Sequence, residues 1–242
     1  MGSSVFSGMK YAINGRTIVG IFSVIIMIFL SSMDTLLKLF PPVSLLPNGY
    51  HTNFILNALH SNIVAPFIPI LAVLPFTASY IEDVNSRFSR FILIRIDYNT
   101  YLVSRVLVCY LSGGFVIVTG TLLAWGVSAL LFLPMEVAAE ASSEAAALLL
   151  KTCVLLSLNG GLWAVLGMTM STIMESKYIA YASPFIVYYL LVILYERYFP
   201  DAWLIYPKNW LNPEIWPYGV GSAALFMPVS YTHLTLPTKL EV

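Results

Sequence analysis

The side chains best equipped for chemistry sit together in one short stretch. Glu82 and Asp83 are adjacent carboxylates, and Arg87, Arg90 and Arg95 follow closely. On a helix the two acids precede Arg87 by about one turn, within reach of an ion pair. The arginines are less ordered. At about 100° per residue they spread over roughly 140° of a helix surface, with Phe88 and Phe91 between them. The plainest use of such a mixed basic and aromatic surface is an anchor on lipid headgroups. Paired acids can also activate a water molecule. Here His51 and His60 precede the pair and His233 lies close to the carboxyl end, and no HExxH occurs.

A second, smaller group is Asn159 with Gly160 and Gly161, echoed by Gly113 and Gly114. Paired glycines inside apolar runs let helix backbones approach closely. Asn159 is either a hydrogen-bonding residue between helices or a contact in a transport pathway. Neither glycine pair is followed by Lys in the GxxxxGK[ST] pattern of a phosphate-binding loop. The chain is therefore not expected to hydrolyse ATP itself or to be an enzyme on its own. Cys109 and Cys153 both fall in apolar runs, and no CxxC or Cys/His cluster points to a metal or redox centre.

The elements that carry these residues are set by composition. Hydrophobic residues make up 59% of the 242 and charged residues 10%, with a mean hydropathy of +0.82. Soluble domains are about half apolar and roughly a quarter charged, so a soluble fold would have too little polar surface to cover this core. Net charge is zero, which gives a nucleic-acid partner no support. A helix needs about 20 mostly apolar residues to cross a bilayer. Five runs are candidates, near Thr17–Ser32, Asn53–Tyr80, Tyr101–Leu133, Ala145–Met174 and Tyr178–Tyr195, the first short but bounded by Arg16 and Asp34. The first lies behind Lys10 and Arg16 as a signal peptide would, but no small-residue cleavage pattern follows, so it reads as a retained span. The second contains Pro66, Pro69 and Pro75, which remove backbone hydrogen bonds and bend it. A sixth run starts near Pro217 and stops at Met227. The expected fold is an all-α, polytopic transmembrane helical bundle with five complete spans and a truncated sixth.

Residues 1–227 form a single transmembrane domain on this reading. The polar, Thr-rich stretch Ser230–Val242 cannot continue a span. It resembles a translated adapter read-through, so 228–242 is expected to be a non-native or disordered tail. Before the sixth run, the aromatic-rich segment from Trp203 to Trp216 reads as an interfacial belt or a re-entrant element.

Orientation follows from Lys and Arg in short loops. With the amino terminus inside, the cytoplasmic segments hold Lys10, Arg16, Arg87, Arg90, Arg95, Arg105 and Lys177. The outer segments hold Lys38, Lys151, Arg197 and Lys208, and one outer loop is acidic with Glu136, Glu140 and Glu144. The excess of basic residues puts the amino terminus in the cytoplasm.

The stretch Glu82-Asp83-x-Asn85-Ser86-x-Phe88, then Arg90-Phe91-Ile92-Leu93-Ile94-Arg95, Tyr101-Leu102-Val103-Ser104-Arg105 and Leu111-Ser112-Gly113-Gly114 resembles the membrane subunits of type-2 ABC transporters. The resemblance covers nearly the whole chain up to Met227, and it departs from the family at the incomplete sixth span. It implies a permease in the cytoplasmic membrane, the bacterial inner membrane, paired with an identical or sister permease. It further implies a separate ATPase subunit that carries the ATP. The loop after the second span would hold a coupling helix, oriented by Glu82 and Asp83, with Arg87, Arg90 and Arg95 meeting the ATPase or lipid phosphates. Two other readings stand beside it. One is an ATPase-independent transporter or scaffold whose arginines only anchor it. The other rests on Glu82-Asp83-x-x-x-Arg87, which is similar to the EExxxR element of CAAX-processing intramembrane proteases but lacks their later histidines.

Overall fold

The computed structural model describes residues 14–39, 46–86, 94, 97–137, 143–212 and 216. The sixth apolar run and the tail 228–242 lie outside the described residues, so the structure bears on neither expectation. Within them the chain is mostly helical, and no strand occurs among the described residues apart from an isolated bridge between Leu46 and Glu136.

Helix α1 spans Gly15–Ser31. Asn14 starts it: its side-chain oxygen accepts from the Arg16 N–H at 2.9 Å, and its own N–H donates to Thr17 Oγ1 at 3.4 Å. This reciprocal cap satisfies donors that a helix start leaves free. Thr17, Gly20, Val24 and Ile28 are buried, a single stripe at helical spacing. After Ser32 the chain bends by 58° into α2 (Met33–Leu39).

The second apolar run is not one helix. It is three short ones: α3 (Tyr50–Leu59), α4 (Ile68–Val73) and α5 (Ser79–Asn85). Pro66 and Pro75 fall in the two breaks, and Pro69 opens α4. A proline lacks the N–H that would continue the ladder, and its ring clashes with the preceding turn. In the first break the Ser61 hydroxyl accepts from the Val64 N–H at 3.2 Å. Much of this segment is covered by the bundle, although Ile63 and Phe67 in the first break are exposed. Ile55, Ala58, Leu59, Val64, Ala65, Ile68, Ala72 and Val73 are all buried, with α4 packed against α6, α7 and α8.

Helices α6 (Tyr98–Phe132), α7 (Ser143–Ile173) and α8 (Lys177–Arg197) are long and nearly continuous. A 3-10 turn at Leu133–Met135 ends α6. The turn between α7 and α8 uses Glu175 in the left-handed region, with φ 51°. Trp203–Ile205 and Pro207–Leu211 are 3-10 segments folded back on the bundle: Trp210 stacks on Trp163 of α7 with ring centres 5.8 Å apart. Trp163, Phe132, Ile28, Ile117 and Leu156 form the centre of the main core.

Three helices are long and apolar enough to cross a membrane, or four if the bent pair α1–α2 is one span. The outer surface agrees with that use. Ile18, Phe22, Ile26, Leu30, Leu130, Ile186, Leu190 and Ile193 are each at least half exposed, an apolar surface that water-soluble monomers do not carry. These features are consistent with a membrane protein.

Candidate functional site

Glu82 and Asp83 lie on α5, and their described partners are on other helices. Glu82 Oε1 is 3.5 Å from the Arg16 Nη2 at the start of α1. Asp83 Oδ2 pairs with Arg105 Nη2 near the start of α6 and accepts a hydrogen bond from the Tyr101 hydroxyl at 3.1 Å. The two ion pairs differ in kind. The side chains of Arg16 and Glu82 are 53% and 40% exposed, whereas those of Arg105 and Asp83 are 17% and 20% exposed. The Arg105 guanidinium also sits 5.3 Å from the ring centres of both Phe76 and Tyr101, close enough for cation–π attraction. The acid pair thus joins the ends of three helices. Arg87, Arg90 and Arg95, expected to complete this group, lie outside the described residues.

A second polar group lies at the far end of α6. The Glu136 carboxylate accepts from the backbone N–H groups of Gly49 at 3.1 Å and His51 at 2.8 Å, and its Oε1 is 2.8 Å from His51 Nδ1. It therefore sits on the start of α3, where free N–H groups and the helix dipole favour a negative charge. Burial raises the Glu136 pKa, but the hydrogen bonds and the charge of His51 outweigh it and hold the carboxyl below its ordinary value. The backbone reinforces the clasp: the Leu46 N–H donates to the Met135 oxygen at 2.9 Å and the Val137 N–H to the Leu46 oxygen at 3.0 Å. Nearby, Trp125 Nε1 donates to Thr52 Oγ1 at 3.1 Å, and the Ser128 hydroxyl donates to the His51 oxygen at 3.2 Å. In the sequence Glu136 is one of the acids Glu136, Glu140 and Glu144. A histidine and an acid flanking spans at the same end were the available signal.

Arg105 and Glu136 are separated by roughly 45 Å along α6, taking 1.5 Å per residue. That matches a hydrocarbon core of about 30 Å with its two interfacial zones. The polar groups bracket an apolar middle.

Between them lies the glycine crossing of α6 and α7. A Cβ built on Gly113 would meet the Gly160 oxygen at 2.7 Å and Ala164 Cβ at 2.6 Å; one on Gly114 would meet the Ser157 oxygen at 2.5 Å. Gly161 faces the Tyr110 ring at 2.7 Å. Asn159 is 2% exposed within this crossing. Glycine here is a requirement of backbone contact, not of flexibility. Among the described residues no three of His, Cys, Asp and Glu come together to hold a metal ion.

No family model matches the chain, and neither a curated protein nor a solved structure matches it.

Proposed function

We propose that the chain is the permease subunit of an ABC transporter of the type-2 class, working with a separate ATPase subunit that binds ATP. On this reading it crosses the cytoplasmic membrane, a bacterial inner membrane, five times with part of a sixth span. Its amino terminus is cytoplasmic, and it pairs with an identical or sister permease. The broken segment α3–α5 would serve as the second span, its middle helix covered by α6, α7 and α8.

The observation that carries the reading is the bracing of Glu82 and Asp83. A loop that transmits force must be held firmly where it leaves the bundle. Here the last helix before the arginine-bearing loop is tied to α1 through Arg16 and to α6 through Arg105. A push on the loop would reach both helices. The sequence resemblance supplies the partner; the bracing supplies a route for coupling.

The same bracing favours a second reading, in which the acids only staple three helix ends and the arginines only anchor the protein to lipid. The chain would then be an ATPase-independent transporter or a scaffold. Purification on an amino-terminal tag separates the two. A nucleotide-hydrolysing subunit should co-purify in fixed proportion with the chain, and its absence under mild detergent extraction would favour the scaffold. The CAAX-protease reading gains nothing from the geometry, since Glu82 and Asp83 face arginines and a tyrosine, with His51 at the other end of the bundle.

A further inference from the structure

We propose that the open cleft at the start of α1 seats an anionic phospholipid, its phosphate on Arg16 and one acyl chain along α1. The cleft holds about 680 Å³ and is lined by Asn14, Gly15, Arg16, Val19, Leu74 and Tyr181. It thus sets the Arg16 guanidinium, beside Asn14 and paired with Glu82, against walls of Gly15, Val19, Leu74 and the Tyr181 ring, a cation next to apolar surface as an amphiphile with an acidic head demands. A guanidinium carries five N–H donors in a planar fork suited to phosphate. The carboxylate paired with Arg16 is that of Glu82, and the pair is long at 3.5 Å. Charge-assisted pairs normally close to about 2.8 Å, so the guanidinium keeps capacity for a stronger acceptor.

The cleft does not end at its own walls. Gly15 and Val19 share a face with Phe22 and Ile26, at steps of four, three and four along the helix. Val19, Phe22 and Ile26 are 60%, 60% and 57% exposed. From Gly15 to Ile26 this strip runs about 17 Å at 1.5 Å per residue. One leaflet of a hydrocarbon core about 30 Å thick is close to that length. A lipid held at Arg16 would therefore have its chain covered to about the midplane, where it ends. The strip is uncharged throughout, so charge recognition falls to Arg16. This assignment does not depend on the transporter reading and applies to whichever leaflet Arg16 occupies.

Binding by the purified full chain, read by native mass spectrometry, tests it with three probes. Phosphatidylglycerol should give one retained adduct. Phosphatidylcholine, whose phosphate is neutralised by its own headgroup, should bind about tenfold more weakly, as expected for loss of one charged contact. Glycerol 3-phosphate, which has the phosphate but no chain, should not bind. Arg16→Gln should weaken phosphatidylglycerol about tenfold, and Val19→Glu should do the same by placing an acid in the apolar wall. Glu82→Gln breaks the same ion pair but leaves the cation, so it should bind as well as the native chain or better. Equal binding of phosphatidylcholine would overturn the proposal, as would native affinity in Arg16→Gln. Capture of glycerol 3-phosphate alone would make this a free phosphate site. Weak binding by Glu82→Gln would assign the effect to the broken pair. Binding that appears only after residues 2–13 are removed would make that segment the occupant.

Discussion

Asp83, near the end of α5, and Arg105, near the start of α6, form a largely buried ion pair that ties the end of one helix to the start of the other. The pair has a hydroxyl donor on the acid from Tyr101 and two aromatic rings beside the base. Its neighbour, Glu82 with Arg16, is about half exposed and longer. Exposed pairs are worth about 0–1 kcal/mol, while removing one partner of a buried pair costs several. The two adjacent acids should therefore respond differently to loss of charge. Asp83→Asn should cost about 2 kcal/mol, lowering the unfolding midpoint in detergent by roughly 5 °C for a chain of this size. Glu82→Gln should change it by no more than about 0.5 kcal/mol. Equal effects would show that exposure does not grade the two pairs.

The Glu136 clasp predicts a dependence on pH. Its carboxyl is held below its ordinary value in the folded chain, so the charged form stabilises the fold. That contribution is fully present above the pKa of the unfolded carboxyl and disappears as pH falls through the lowered native value. Glu136→Gln should be less stable than the native chain by about 1–2 kcal/mol near neutral pH. The two unfolding midpoints should converge in acid. A gap that stays constant at every pH would mean that the carboxylate charge contributes nothing.

The glycines make a paired prediction. Gly114→Ala would push a methyl against the Ser157 backbone oxygen at 2.5 Å, and overpacking of this kind costs about 1–3 kcal/mol. Gly126, on the same helix, has nothing within 4 Å of a built Cβ. Gly126→Ala should be neutral or stabilise by up to about 1 kcal/mol, the usual gain of alanine over glycine in a helix. Thermal unfolding of the two variants side by side checks the crossing.

Topology is open to direct labelling. Asn99 precedes most of α6 and Val137 follows it, and both are exposed. In a background of Cys109→Ala and Cys153→Ala, single cysteines at the two positions should react with a membrane-impermeant maleimide from opposite sides. Reaction of both from one side would remove α6 from the spans.

These relationships were unequally legible in the sequence. The ends of α6, α7 and α8 fall within three residues of the apolar runs that predict them, because span length is a local property of hydropathy. The second run was readable as apolar and bent, but not as three helices. Prolines mark where a helix weakens, whereas burial among α6, α7 and α8 decides how far it comes apart. The ion pairs were least legible. Helical spacing offers Arg87, outside the described residues, as a partner of Glu82 and Asp83, but gives no sign that Arg16 and Arg105 reach them from 66 and 22 positions away. Such contacts are set by which helix ends converge, and that is a tertiary fact. The same holds for His51 and Glu136, 85 positions apart.

The last prediction concerns the loop that the acids brace. If it docks on an ATPase, force must pass through Asp83 to Arg105 as well as through the arginines beyond. Glu82→Ala/Asp83→Ala should then lower the ATP hydrolysis of a reconstituted pair, made with the ATPase that co-purifies, while complex formation persists. Arg87→Ala/Arg90→Ala should weaken the complex itself. Because the Asp83 pair also stabilises the fold, lost activity alone decides nothing, so a charge exchange is the sharper variant. Asp83→Arg/Arg105→Asp restores the clasp with reversed polarity. A coupling role that works by bracing predicts recovery of both stability and hydrolysis. A contact between Asp83 and the ATPase predicts recovery of stability without hydrolysis. An anchor predicts that neither acid variant affects hydrolysis in folded protein, because acids contribute little to orientation, and that the arginine variants alter topology instead. That last outcome would remove the coupling role and leave the lipid anchor.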